Sequence, residues 1–125
     1  MRYLKTFESN TSDLIEEIKS LLFDLTDSHY DIRCDVSPMT YERPIFQICI
    51  NLDLNLYNIS QTLPNLSEDF KVKYFEKYED KLIFVTTEVK NLLNRLESCD
   101  YKINGYEFAQ SRNNDYYEIF VEKIT

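Results

Sequence analysis

The residues able to do chemistry in this chain are few. There is one histidine, His29, and there are three cysteines, Cys34, Cys49 and Cys99. Zinc sites take Cys and His ligands at short paired spacings, and these four do not fall into such pairs. His29 lies where a helix is expected to give way to a strand, which suits a helix-end or surface role. Nucleophilic catalysis needs a thiol or hydroxyl activated by a neighbouring base, and no nucleophile motif is present. Carboxylate pairs occur at Glu16/Glu17, Glu68/Asp69 and Glu79/Asp80. General acid–base work would require one member of a pair to be desolvated so that its pKa rises. These pairs fall at helix starts or on polar helix faces, where water reaches both members. A single glycine, Gly105, leaves no phosphate-cradling loop and no dinucleotide fingerprint. The sequence therefore predicts a protein that is not an enzyme and that uses no cofactor and no metal.

Charge is the more informative property. The net charge is −8 over 125 residues. Direct nucleic-acid binding needs clustered Lys and Arg, so this balance argues against it, and against anionic membrane surfaces. The negative charge is also concentrated. Between Glu8 and Glu42 stand Glu8, Asp13, Glu16, Glu17, Asp24, Asp27, Asp31, Asp35 and Glu42, against only Lys19 and Arg33. Residues 67–81 are mixed instead, with four lysines among five acids. A face of spaced carboxylates can steer onto a basic partner, such as a nucleic-acid-binding protein whose groove it occupies. Glu16, Glu17, Asp24, Asp27 and Asp31 are the residues expected to supply this attraction. Tyr101, Tyr106, Tyr116 and Tyr117 crowd the C-terminal region, where Arg112 also lies. Tyr and Arg favour interfaces, so Arg112 and Tyr116 join the expected partner-binding set.

The elements that must position these residues follow from periodicity. From Phe46 to Leu56 apolar and polar residues alternate strictly: Phe46, Ile48, Ile50, Leu52, Leu54 and Leu56 fall on one side, and Gln47, Cys49, Asn51, Asp53 and Asn55 on the other. That pattern predicts a strand over Ile45–Leu56 with one covered and one wet face. Leu14, Ile18, Leu21, Leu22 and Leu25 make a helical stripe. Asn10 to Asp13 offer N-caps, and Asp13 with Glu16 has capping-box spacing, so this helix is expected to run to about Asp27. Residues 1–9 are expected to form an arm or a short edge strand. A strand over His29–Val36 puts Tyr30, Ile32, Cys34 and Val36 on one face. Cys34 and Cys49 would then face opposite ways, which argues against a disulfide and for a reducing, cytoplasmic setting.

A second helix is expected from Ser67 or Glu68. From Phe75 its apolar residues are Tyr78, Leu82, Val85, Val89, Leu92 and Leu96, spaced alternately by three and four. The β-branched cluster near Ile83–Thr87 makes a break around Asp80–Thr86 an alternative to one long helix. Asp100–Ala109 reads as a strand whose apolar phase shifts at Asn104-Gly105, which favours a bulge over a tight turn. After a loop from Ser111 to Asp115, Tyr116 to about Lys123 reads as the last strand. No run is long and apolar enough for a membrane span or a signal core.

An offset of 71 residues sets the two halves of the chain against each other. Glu17, Lys19, Leu21, Leu22, Leu25, Tyr30, Ile32 and Ile48 meet Glu88, Lys90, Leu92, Leu93, Leu96, Tyr101, Ile103 and Ile119. The expected architecture is one α+β domain over residues 1–125, with helix–strand–strand units at about 10–56 and 67–125. It is a two-layer sandwich: a four-stranded antiparallel sheet in permuted ferredoxin-like order, the second strand of each unit central, with two main helices on one face.

The opening residues MRYLKTFE resemble the MKYLKLFE-type start of small accessory proteins of large tailed bacteriophages. That resemblance implies a phage origin and a host partner, such as a nucleic-acid-binding or defence factor that the protein inhibits. The residues themselves point to a small acidic protein that docks on a partner protein. The alternative from another class is a homodimeric ligand-sensing or assembly module, joined through a sheet edge or the three–four seam.

Overall fold

The computed structural model describes residues 2–28, 30–40, 42–53, 67–110 and 114–124, and for residues 2–10 the backbone. His29 and Arg112 lie outside the described residues, as does the part of the alternating stretch beyond Asp53.

The first helix, α1, spans Arg2–Leu21. This corrects the expected arm or edge strand at the N-terminus, and with it the expected cap at Asn10–Asp13. Those four residues sit in the helix interior. A side chain caps only where the chain enters a helix, and the residues upstream carry no proline or glycine to stop propagation. Asn, Thr, Ser and Asp inside a helix each cost only tenths of a kcal/mol, about 0.5 or less, relative to better formers. The helix pauses at Leu22, whose φ and ψ are −87° and 0°, and resumes as the single turn α2, Phe23–Thr26. Leu22 still donates to Ile18 and Lys19, so the axis is scarcely interrupted.

Strand β1, Arg33–Pro38, is shorter than expected, with Ile32 buried just before it. Strand β2, Ile45–Asn51, ends before the alternation does. There Asn51 Oδ1 accepts the backbone N–H of Asp53 at 2.8 Å, and Asp53 takes φ 54°. An Asx turn of this kind leaves the sheet whatever the hydrophobic pattern beyond it.

Helix α3, Glu68–Ser98, is one unbroken helix. Ser67 caps it, its hydroxyl accepting from the Phe70 N–H. The alternative break near Asp80–Thr86 is absent, because Val85 and Val89 are buried and packing outweighs their modest helix propensity. The three–four seam is a core stripe: Tyr78, Val85, Val89, Leu92 and Leu96 are buried in the chain's own core. From Tyr78 onward it is therefore not available as a dimer seam.

Strand β3, Tyr101–Gln110, follows after Asp100, a non-glycine residue at φ 65°. Its pairing with β4, Asp115–Lys123, slips between Ile103 and Gly105, which is the expected bulge. Ile103 lies opposite Val121 before the slip, and Phe108 opposite Tyr117 after it, so both phases reach the core.

The four strands form one antiparallel sheet in the order β1-β2-β4-β3. The second strand of each helix–strand–strand unit is central. In the β2–β4 ladder Ile48 lies opposite Ile119, its equivalent at the 71-residue offset. Gln47 Nε2 donates to Glu118 Oε1, and Arg95 Nη2 to Asp24 Oδ2, each across the same offset. Residues at equivalent places thus meet on a common axis through sheet and helices. Both main helices cover one face, where Ile18, Leu22 and Leu25 join Val85, Val89, Leu92 and Leu96 over Phe46, Ile48, Ile50, Ile119 and Val121.

Truncating Ile48 or Ile119 to Ala is expected to destabilise the protein by about 2–4 kcal/mol each. Because the two face each other, the double variant should depart from the sum of the single effects by at least about 0.5 kcal/mol, measured by urea denaturation.

Candidate functional site

The expected partner-binding residues fall into three groups. Glu16 is exposed on α1, 3.8 Å from Lys19 in an exposed pair of little energetic weight. Glu17 and Asp24 are tied into the structure. The Glu17 Oε1 lies 3.4 Å from Lys123 Nζ at the end of β4. Asp24 receives Arg95 Nη2 at 2.7 Å, and Arg95 Nη1 also donates to the Leu21 carbonyl at the α1 terminus. Asp27, Asp31 and Asp35 are exposed, and among the described residues no base forms an ion pair with any of these three. Glu16 and Glu17 thus lie on α1, Asp24 on α2, Asp27 at the end of α2, and Asp31 between α2 and β1. Tyr116 is elsewhere: it pairs with Asn51 and Ala109 on the sheet face that the helices leave open.

Sequence reading missed a buried polar cluster at one end of the sheet. The Tyr78 hydroxyl donates to the Asp115 carboxylate, and both residues are buried. The Asp115 backbone carbonyl accepts from the Leu52 N–H at 3.0 Å. Thr86 Oγ1 and the Tyr117 hydroxyl lie 2.7 Å apart. Burial, then the Asp115 contact, push the Tyr78 phenol up to about 12. Lys81, one turn on from Tyr78, is only 4% exposed, and among the described residues it forms no ion pair. Burial lowers its pKa, and the nearby charges of Asp31 and Asp53 oppose that shift. A signal for both charged residues was present. Lys81 stands three residues after Tyr78 and four before Val85, on the buried stripe. The β4 alternation of Val121, Ile119 and Tyr117, continued backward, arrives at Asp115.

The opposite end of the sheet holds a second polar group. Lys123 Nζ donates to the Cys99 carbonyl at 2.6 Å and sits 4.6 Å from the centre of the Tyr101 ring. Burial and the neighbouring Glu17 carboxylate raise the Tyr101 phenol above its ordinary value. Lys123 thus ties α1, the α3–β3 junction and β4 into one corner.

Two of the three thiols are held protonated by their surroundings. Burial, with Asp35 and Cys49 adding to it, pushes Cys34 up to about 12. Burial, then Glu118 and Asp35, raises Cys49 as well. Both are thiols at neutral pH, and the thiolate is the reactive form. Cys34 pairs across the ladder with Ile50, and Cys49 with Asp35, so the two side chains point to opposite faces as expected. Among the described residues no group of Cys, His, Asp or Glu is placed to hold a metal ion, and no helix is long and apolar enough to cross a membrane. No family model, curated protein or solved structure matches this chain.

Two outcomes follow for the buried cluster. Replacing Lys81 with Met keeps the aliphatic stem and removes a desolvated charge, so the variant should be more stable at pH 7 by about 1–2 kcal/mol in urea denaturation. A loss of stability would mean that the ammonium is compensated in the native state. With the Tyr78 phenol pushed up from its ordinary 10.0 to about 12 by burial and the Asp115 contact, the native state keeps a proton that the unfolded chain releases. Its contribution is whole below pH 10 and is lost as pH climbs toward 12. At pH 11 the loss is about 1.4 kcal/mol. Tyr78→Phe should therefore show a drop in stability between pH 9 and 11 that is smaller than wild type by roughly 1 kcal/mol.

Proposed function

We propose that this chain is a small acidic binding protein, without catalytic activity of its own, that docks on a basic partner protein through the α1–α2–β1 side. The observation that carries the reading is the placement of its charge. Most of the net charge of −8 comes from residues 8–42, and Glu16 on α1, Asp27 at the end of α2 and Asp31 ahead of β1 are all exposed. Glu17 and Asp24 hold the helices in place beneath them while adding to the same field. Carboxylates spaced along a rigid helical edge attract a basic groove at long range, which favours fast, salt-sensitive association. Under the bacteriophage-like reading of the opening residues, the partner is a host nucleic-acid-binding or defence factor.

A second reading, self-assembly, is favoured by the first turns of α3. Phe70, Val72, Tyr74 and Phe75 are all exposed there, ahead of the point at which the helix meets the core. Sedimentation at the highest attainable concentration and at several salt strengths tests it, and a monomer throughout would exclude it.

The docking reading is tested by retention of proteins from a host extract on the immobilised chain and on a Glu16→Lys, Asp27→Lys, Asp31→Lys variant. A partner should be retained by the wild type at low salt and released by about 0.3 M salt. The charge-reversed variant should retain little of it. Equal retention by both chains at every salt strength would contradict the proposal.

A further inference from the structure

The sheet has a second face, and its pattern is unlike a plain solvated surface. On this open side the ladder aligns Asp35, Cys49, Glu118 and Glu107 in one row across all four strands. Two aromatic residues flank that row on the central strand β4, Tyr116 on one side and Phe120 on the other. Their neighbours on β3 are small: Ala109 lies opposite Tyr116 and Gly105 opposite Phe120. A Cβ added at Gly105 would meet nothing within 4 Å, so the space beside Phe120 is open. Gln47 donates to Glu118 Oε1 at 3.0 Å, which holds that carboxylate in the middle of the face.

Two features of this arrangement have no structural benefit. Glu107 and Glu118 stand directly opposite each other on neighbouring strands, a like-charge pairing that weakens a sheet. Half-buried Phe120 and Tyr116 rings on an open face gain little from folding alone. A cation laid over the row would reverse the first effect, and its aliphatic stem would cover the rings. Alternate residues of a strand are about 7 Å apart on one face, so a guanidinium above Glu118 lies close to both rings.

We propose that the open face of the sheet is a docking surface for an extended, arginine-bearing polypeptide segment, with one cationic head over Glu118 between Tyr116 and Phe120. Paired aromatics on a central strand also suit stacked bases, but a phosphate backbone would meet Asp35, Glu107 and Glu118 on this face, where Glu122 is already paired with Arg43. Charge complementarity therefore favours a basic peptide. This surface lies on the layer opposite to the α1–α2 carboxylates, so either surface can fail without the other.

The test uses the full chain, uniformly ¹⁵N-labelled, and two fluorescein-labelled probes: a peptide of about twelve residues alternating Arg and Thr, and an oligouridylate of about twelve nucleotides. Gly105 is the only glycine, so its amide signal reports on this face directly. The peptide should bind and shift the Gly105 signal. Glu118→Lys should weaken binding about tenfold, and Tyr116→Ala or Phe120→Ala about three- to fivefold. Glu118→Gln, which keeps the side-chain volume and a partner for Gln47, should weaken it about threefold and guards against misfolding of the reversal. Glu16→Lys with Asp27→Lys, on the helix layer, should change it less than about twofold beyond the general charge effect. Absence of peptide binding by the wild type, unchanged affinity in both Glu118 variants, or a preference for the oligouridylate would each overturn the proposal.

Discussion

The pairing of β2 with β4 is the interaction on which the other elements depend. It joins the last strand to a partner about 70 residues earlier in the chain, so it closes the longest loop the sheet contains. Phe46, Ile48, Ile50, Tyr117, Ile119 and Val121 present one apolar surface from the two strands. α1 and α3 bury their stripes over this surface, with β1 beside α1, β3 beside α3 and the two helices in contact with each other. The edge strands in turn have no partner except these two. A one-residue slip in this ladder would send every core side chain to the open face. The register with Ile48 opposite Ile119 therefore decides both which face is dry and which residues remain to meet a partner.

Polar groups lock the two ends of this core. Lys123 fastens one corner by reaching the Cys99 carbonyl and Glu17. Tyr78 and Asp115 fasten the other, where β4 begins. Lys81 beside them is the costly member, because its charge is buried and meets no ion pair among the described residues. Such a residue raises no stability by itself, and the lowered pKa is the sign of that cost. The two candidate surfaces lie outside this locked frame, on opposite layers.

Much of the frame was legible in the order of residues. Alternation over Phe46–Leu52 identified a half-covered strand, and the three–four spacing from Tyr78 to Leu96 identified the long helix. The 71-residue offset anticipated that Ile48 and Ile119 occupy equivalent strands. The phase shift at Asn104-Gly105 marked the bulge. What could not be read arose where local signals competed with context. Capping residues at Asn10–Asp13 look the same inside a helix as at its start. The alternation continues past Asn51, although the Asx turn at Asp53 ends the strand. Asp115 reads as the end of a loop and Lys81 as one charge of a mixed segment, although both positions continue buried stripes. Tyr116 was grouped with the acidic helix, but the parity of β4 sends it to the other face. Arg112 lies outside the described residues.

Native-state hydrogen exchange tests the organising role of the β2–β4 ladder most directly. If the other elements depend on it, the slowest-exchanging amides will lie in Ile45–Asn51 and Asp115–Lys123, with protection that reflects global unfolding, while β1 and the outer part of β3 exchange through smaller openings. Protection greatest in α1 or β1, with β2 and β4 opening first, would contradict the account.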